Sequence, residues 1–229
     1  MQLFGRGFMI TFTEVPPDIE ADFNEWYNGE HLDERIDLPG FRRARRYESL
    51  DGEIRYVTSY ECLEPTDIGS PAYLEVLRAQ TAWSARIMPQ FSKWHRLSGR
   101  VAVDRTHGTG GWMALARLRP DPARARALVD WLGGSVLDEI AAMAGIAGAC
   151  AIASEPAIDA ILSHAFGQQP DTAQPPEWAI IVEGMSGEAV RAVAERELAG
   201  LADFIDTRLT IETCRFLYGN QRLGDAERA

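Results

Sequence analysis

A pattern that occurs twice constrains the fold of this chain more than any other feature of its sequence. The segment that begins at Trp26 reads WYNGEHLDERIDLPGF, and the segment that begins 105 residues later, at Trp131, reads WLGGSVLDEIAAMAGI. The two segments align without a gap and share the tryptophan, a Leu-Asp-Glu triplet and a glycine. Internal repetition of this kind predicts two copies of one structural unit in a single chain.

Each copy has the periodicities of a β-α-β-β-α-β unit. In the first copy, alternation and turn residues predict strands at 7–15, 41–50, 53–63 and 94–103, and helices at 18–37 and 70–91. In the second copy, the same signals predict strands at 111–118, 146–154, 178–184 and 208–218, and helices at 122–142 and 187–203. We interpret residues 104–111 as a flexible linker and the insertion at 155–176 as a mobile surface loop.

The predicted order of elements indicates an α+β fold. A β-α-β-β-α-β unit is ferredoxin-like, with a four-stranded antiparallel sheet and both helices on one face of it. Two such sheets can pack face to face and close into a pseudo-dimeric eight-stranded barrel. We therefore expect one ferredoxin-like repeat over 1–104 and a second over 105–229.

Composition and charge exclude several classes of protein. The net charge of −11 argues against binding to nucleic acid and to anionic membrane surfaces, because both require clustered positive charge. No apolar run approaches the ~18 residues of a membrane span, and we expect no signal peptide. The three cysteines are too few and too scattered for a disulfide framework or a zinc site, which favours a cytoplasmic location.

One stripe of the first predicted helix carries side chains capable of proton chemistry. A rotation of ~100° per residue places Tyr27, Glu30 and Glu34 together and His31 at their edge. An imidazole exchanges protons near neutral pH, a carboxylate can orient it, and a phenol can donate a hydrogen bond to a developing oxyanion. We therefore predict His31, Tyr27 and Glu34 as catalytic residues, with Glu30 as a substrate contact. The alternative is a histidine at the helix edge that is bonded to a backbone carbonyl.

The second copy serves as a control for this interpretation. At the equivalent positions, Tyr27 is replaced by Leu132, and His31 by Val136. Arg45 is likewise replaced by Cys150. Because the fold tolerates apolar residues there, we infer a single active pocket in the first half and a structural second half. Neutral drift of surface residues is the alternative.

Further candidates for substrate binding lie outside this helix. The strand FRRARRY places Arg43 and Arg45 on one face, where they could hold a carboxylate or an enolate, although ion pairs with the many acidic residues are the alternative. His95 begins a predicted strand and could face the pocket or the partner sheet. Aromatic residues would line an apolar pocket that suits an aromatic substrate, and they include Phe12, Trp26 and Tyr60.

The segment FNEWYNGEHLDERIDLPGFRRARRYE resembles the dimeric α+β barrel superfamily, and within it the EthD-like branch. The resemblance is good over residues 8–63 and weaker beyond them. It implies a pocket between the curved sheet and the helices of one half, and a small hydrophobic molecule as its ligand. Members of this superfamily include cofactor-free monooxygenases, isomerases, cyclases and haem-dependent enzymes, and their exposed helix faces often form homodimers.

These observations lead to one function and two alternatives. We expect a cofactor-independent enzyme of the lyase, isomerase or cyclase type that acts on a small aromatic or carbonyl compound, with His31 as general acid and base. A cofactor-free monooxygenase of a phenolic substrate is one alternative, and a non-catalytic binding protein of a catabolic pathway is the other. Haem, or one metal ion held partly by Glu30, His31 and Glu34, is less favoured because the sequence has no haem signature and one helix face rarely completes a metal site.

Overall fold

Eight antiparallel strands close into a barrel in the computed structural model, which describes residues 3–165, 167, 175–205 and 209–222. The order around the barrel is β1-β3-β2-β8-β5-β7-β6-β4. The strands are β1 (Gly7–Glu14), β2 (Phe41–Ser49), β3 (Tyr56–Cys62), β4 (Lys93–Thr106), β5 (Trp112–Leu118), β6 (Ile146–Ser154), β7 (Trp178–Gly184) and β8 (Thr210–Gln221). The predicted α+β fold with a closed eight-stranded barrel is confirmed.

Helices cover the outside of this barrel. They are α1 (Glu20–Trp26), α2 (Leu32–Ile36), α3 (Pro71–Arg78), α4 (Ala82–Ile87), α5 (Ala125–Trp131), α6 (Leu137–Ala141), α7 (Pro156–Ala165) and α8 (Gly187–Glu197). Short 3₁₀ turns occur at Pro65–Gly69, Met88–Gln90 and Ala199–Phe204. Within the described ranges, no helix is long and apolar enough to cross a membrane.

A π-helical turn joins two α-helical segments in each half of the chain. Tyr27–His31 connects α1 to α2, and Leu132–Val136 connects α5 to α6 at the same spacing of 105 residues as the sequence pattern. In each turn a backbone N–H donates to the carbonyl five residues earlier, so the two helices form one continuous rod. The glycines in the turns between these rods and the strands that follow, Gly40 and Gly145, have φ values of +88° and +82°, a conformation that only glycine adopts without strain.

The strands divide the apolar residues between the barrel interior and the helix-covered outer face. Along β1, Phe8, Ile10 and Phe12 point into the barrel and belong to its central core. Met9 belongs instead to the core between the first-half strands and their helices, as expected for alternation along a strand. A separate core of mainly aliphatic residues lies beneath the second-half helices. The outer face of β1 is therefore the floor of the first-half helix layer.

Three local predictions differ from the structure. The expected helix 70–91 is broken after Arg78, because the Thr81 side chain accepts a hydrogen bond from the Ser84 backbone N–H and starts α4. The expected linker 104–111 is shorter, because β4 continues to Thr106 and pairs with β6. The first part of the insertion 155–176 forms α7 rather than a loop, while most of the remaining segment lies outside the described residues.

The new helix α7 contributes to the first half although it follows β6 in the chain. Its Ile158 and Leu162 are buried in the same core as Trp26, Tyr27 and Tyr60. An amphipathic helix buries its apolar face wherever an uncovered core is available. The insertion thus closes one side of the layer that contains the candidate site.

Candidate functional site

A small cavity lies between the outer face of the first-half sheet and the helices that cover it. Its volume is about 50 Å³, room for a few water molecules. Eight polar or ionisable residues line it, together with Met9, Leu77, Met88, Phe91 and Trp94. The eight are Thr11, Thr13, Tyr27, His31, Arg35, Tyr60, Tyr73 and Arg96.

His31 is held rigidly at the wall of this cavity. The π-helical turn places its ring 5.0 Å from that of Tyr27, and the indole of Trp26 packs against its other side at 4.2 Å between ring centroids. The residue is only 8% exposed. Its Nδ1 atom is buried and has no hydrogen-bond partner in the described part of the chain. The remaining nitrogen, Nε2, is the one free to act on a molecule in the cavity.

Burial and nearby charges determine the protonation state of the His31 imidazole. Burial, followed by the positive charges of Arg35 and Arg46, holds the pKa of His31 well below its usual range. The Glu34 carboxylate lies 3.8 Å from Nδ1, too far for a hydrogen bond but near enough to favour the tautomer that carries its proton on Nδ1. His31 is therefore neutral at pH 7.

This low pKa predicts a specific dependence of stability on pH. The unfolded chain takes up a proton on His31 near pH 6.5 and the folded chain does not, so acid favours unfolding. Between pH 6.5 and the lower folded pKa, we expect His31 to reduce the free energy of unfolding by about 1.4 kcal/mol per pH unit. Urea unfolding of wild type and His31→Gln from pH 7.5 to 5 tests this expectation.

The glutamine variant should lack this slope, whereas other titrating groups act equally in both proteins. Burial, for example, raises the pKa of Asp159 to about 6, and its effect cancels in the difference between the two curves. Parallel stability curves for the two proteins would show that His31 titrates normally in the folded state.

Two phenols form a hydrogen-bonded pair beside the histidine. The Tyr27 and Tyr60 hydroxyls are 3.1 Å apart, and Thr11 Oγ1 lies 3.3 Å from the Tyr27 hydroxyl. Burial raises the pKa of Tyr60 well above its usual range, so this phenol stays protonated and can donate a hydrogen bond. The Arg46 guanidinium lies 4.2 Å from the centre of the Tyr27 ring and donates to Asn24 and Asn28, which fixes the ring from behind.

Two arginines complete the cavity, and sequence reasoning missed both. Arg35 follows His31 by four residues on the same rod, so helical spacing could have identified it. Arg96 follows His95 on β4, so its side chain lies on the opposite face of the sheet. Alternation predicts this opposition but does not say which of the two faces is the barrel interior. Burial lowers the pKa of Arg96.

The structure brings part of the predicted catalytic group together. Tyr27, His31 and Tyr60 line the cavity. Trp26 is fully buried behind the histidine and donates to Ser84. Glu30 turns away, because its carboxylate accepts the Thr81 hydroxyl at 2.5 Å at the start of α4.

Four predicted substrate contacts lie on the other side of the sheet. Phe12 and His95 are paired across β1 and β4, point into the barrel and stack with 5.5 Å between ring centroids. The His95 Nε2 atom is hydrogen-bonded to the Glu177 carboxylate at one end of the barrel. Alternation places these side chains opposite the outward-facing Met9 and Thr11, so they do not reach the cavity beside His31.

The other two, Arg43 and Arg45, are buried in ion pairs inside the barrel. Arg43 Nε donates to Glu61 at 2.6 Å, and Arg45 Nη1 lies 2.7 Å from both carboxylate oxygens of Glu183. These contacts correspond to the ion-pair alternative in the sequence analysis. Strict alternation would place Phe41 on the same face as these arginines, but a β-bulge between Phe41 and Arg43 puts Phe41 on the outer face.

Within the described residues, the second half has no polar counterpart of this cavity. At the positions 105 residues after Tyr27 and Arg35, Leu132 and Ile140 are fully buried in an aliphatic core. Val136, at the position equivalent to His31, packs against the same core. The ionisable groups are thus concentrated in one of two similar helix layers.

The described side chains form neither a metal site nor a haem site around His31 or His95. No three histidine, cysteine or carboxylate side chains converge on a common point within the described ranges. A haem macrocycle is far larger than the cavity of about 50 Å³ beside His31, and His95 is already engaged by Glu177. In this conformation, the surroundings of His31 and of His95 do not fit a haem.

Comparisons with known proteins identify the fold. No protein-family model and no curated protein matches the sequence. Among solved structures, an anthrone oxidase-like protein matches with a TM-score of 0.65 and 9% identity over 94% of this chain and 92% of its own. A candidate monooxygenase from Lactobacillus acidophilus matches with a TM-score of 0.61 and 10% identity over 95% and 96%.

A third solved structure with a similar fold carries the name of a different kind of enzyme. It is a candidate chlorite dismutase, with a TM-score of 0.53 and 12% identity over 93% of this chain and 95% of that one. Identities this low carry the fold and not the reaction. The chain therefore has the α+β barrel fold of these solved proteins, and the cavity beside His31 is its candidate functional site.

Proposed function

We propose that this protein is a cofactor-independent enzyme that removes a proton from a small aromatic or carbonyl compound. The observation that carries the proposal is the neutral, buried His31 at the wall of a cavity that also contains paired phenols. A purely structural helix layer is aliphatic at these positions, as in the second half.

The proposed first step uses three groups of the cavity. Nε2 of His31 accepts a proton from a C–H next to the substrate carbonyl, and the electron pair of that bond moves onto the carbonyl oxygen. The Tyr27–Tyr60 pair donates a hydrogen bond to the resulting enolate oxygen. Return of the proton to another carbon gives isomerisation, and loss of a β-substituent gives elimination. Cyclisation follows instead when the enolate carbon attacks a second carbonyl of the substrate, whose oxygen then takes the proton from His31.

The size of the cavity limits what enters it in this conformation. A volume of about 50 Å³ accommodates the reacting end of a substrate and not a polycyclic ring system. Trp94 is 46% exposed at the rim, and Leu77, Met88 and Phe91 lie on the segment that covers the cavity. The larger part of an aromatic substrate would extend along these side chains, which are apolar and therefore suited to it.

Oxygenation is the second candidate, because two of the similar solved structures carry names of oxygen-using enzymes. In this version the carbanion adds O₂ and a proton to give a hydroperoxide, which loses water to leave a ketone. The proton-abstracting role of His31 is the same in both versions. Consumption of O₂ therefore separates them.

Isotope exchange tests the proposal without knowledge of the final product. Small enolisable ketones, keto acids and anthrone-like phenols are incubated in D₂O without oxygen, and loss of the α-proton is followed by NMR. We expect exchange to be faster with wild type than with His31→Gln, and O₂ uptake on exposure to air only if the second version holds. Binding of these compounds with no exchange and no O₂ uptake would instead favour a non-catalytic binding protein.

We further propose that the two halves are repeats of one ferredoxin-like module, as in the EthD-like branch. The strand order β4-β1-β3-β2 of the first half recurs as β8-β5-β7-β6 in the second. The two rods and the strands that follow them, Phe41–Ser49 and Ile146–Ser154, keep the same spacing of 105 residues. This origin would explain why only one half needs an active cavity.

A further inference from the structure

Two guanidinium groups face the cavity without a hydrogen-bonded counterion among the described residues. Arg35 is 5% exposed, and its Nη1 atom is buried without a hydrogen-bond partner among the described residues. The Nε atom of Arg96 is likewise buried without a hydrogen-bond partner among the described residues. A buried charge that lacks hydrogen bonds costs several kcal/mol, so proteins rarely keep one without a use for it.

The nearest carboxylates interact with these arginines without hydrogen-bonding to them. Glu34 forms a long ion pair with Arg35, 3.8 Å from Nη1 and beyond hydrogen-bond distance, and its side chain is partly exposed. Asp159 on α7 lies close enough to interact with Arg96 electrostatically, but forms no salt bridge with it among the described contacts. Each guanidinium instead lies against an aromatic ring, at 5.8 Å from Tyr73 for Arg35 and 5.2 Å from Trp94 for Arg96.

Other buried arginines of this protein have a polar side chain within hydrogen-bond distance. Arg43 and Arg45 inside the barrel each donate to a glutamate at 2.6–2.7 Å. Arg46 behind Tyr27 donates to two asparagine side chains. Each of these three also keeps one buried nitrogen without a partner, but Arg35 and Arg96 make no such side-chain hydrogen bond among the residues that the structure describes.

We propose that Arg35 and Arg96 bind a carboxylate group of the substrate, so that the enzyme acts on a small enolisable or aromatic acid. A planar guanidinium matches a planar carboxylate through two parallel hydrogen bonds. The cavity has room for a carboxylate and one or two carbons beside His31. This inference depends on the proposed function for its reaction, although not for its binding step.

Binding of a carboxylate would also prepare His31 for its role. The charge of Arg35 is, after burial, the main factor that lowers the pKa of the imidazole. An anion beside Arg35 offsets that charge and makes His31 a stronger base only when the substrate is in place. The site would therefore respond to its own ligand, and the response is measurable without turnover.

Acetate against acetamide is the direct test, because the two probes have nearly the same shape and differ in charge. We expect acetate to bind at least tenfold more tightly, as followed by tryptophan fluorescence and by an upward shift of the His31 pKa in NMR titrations. Arg35→Met and Arg96→Met should each weaken acetate binding at least tenfold. Arg100→Met is the matched control, since Arg100 lies on the same strand, is exposed, and pairs with Glu155 outside the cavity.

The outcomes separate this inference from the proposed function. Equal binding of acetate and acetamide, tighter binding of inorganic phosphate than of acetate, or unchanged acetate affinity in both arginine variants would each overturn the carboxylate site. If Arg35→Met does not fold, Arg96→Met decides alone. A wild type that prefers acetate but catalyses no exchange would overturn the enzyme and support the site, whereas His31-dependent exchange with no preference for acetate would do the reverse.

Discussion

Replacing His31 by glutamine is expected to lower the rate of proton abstraction about 10²- to 10⁴-fold while leaving the fold intact. Glutamine keeps most of the volume of the imidazole and removes its basic nitrogen. The ring is buried between Trp26 and Tyr27, so a side chain of similar size limits the loss of packing. The measurement is kcat and KM for the substrate identified by isotope exchange, with circular dichroism as the check on folding.

Two comparisons make this result specific. His107→Gln is the matched control, because His107 is an exposed histidine of the short linker and should leave kcat unchanged. Since the pKa of His31 is held low, the free enzyme should keep its activity below pH 6.5 and lose it only in more acidic solution. A His31→Gln enzyme with wild-type kcat would mean that another group is the base.

Replacing Arg45 by methionine should destabilise the protein by about 3–5 kcal/mol, the largest stability effect that we expect. Among the residues that the structure describes, the change leaves the buried Glu183 carboxylate with only the backbone N–H of Gly110 as a hydrogen-bond donor, at 2.8 Å. A buried carboxylate without its cation costs more than the lost contacts alone. Urea unfolding at pH 7 measures the change, and two-state behaviour is checked with a second probe.

Removing both charges should restore most of the lost stability. In the double variant Arg45→Met with Glu183→Gln, no unpaired charge is left inside the barrel, so we expect recovery of at least half of the loss. Arg215→Met is the matched surface control, since Arg215 pairs with Glu48 in an exposed position and should cost less than about 1 kcal/mol. Normal stability of Arg45→Met together with weakened substrate binding would instead revive the substrate-binding role that the sequence suggested.

The contrast between Arg45 and Arg35 shows where inference from the sequence was incomplete. In the sequence, the four arginines of residues 42–46 indicated an anion-binding site, whereas Arg35, one helical turn after His31, did not. Inside the closed barrel, glutamates from β3 and β7 meet Arg43 and Arg45 and neutralise them. Which carboxylates face which arginines depends on strand pairing between distant parts of the chain, and residue spacing does not contain that information.

The same reason explains why the sequence analysis placed Phe12 and His95 at the substrate pocket. Alternation assigns the residues of a strand to two faces but does not say which face the helices cover. Closure of the sheet into a barrel placed Phe12 and His95 on the inner face. The outer face then received Met9, Thr11 and Arg96, which line the cavity.

The sequence by itself determined the α+β class, the positions of most strands and helices, and the stripe that carries Tyr27 and His31, because these follow from local periodicity and short turns. Tertiary structure alone decided that α7 covers the layer, and that Arg35 and Arg96 have no hydrogen-bonded counterion beside His31 among the described residues. These features arise from contacts between segments far apart in the chain, where packing and charge pairing are settled only once the barrel has closed.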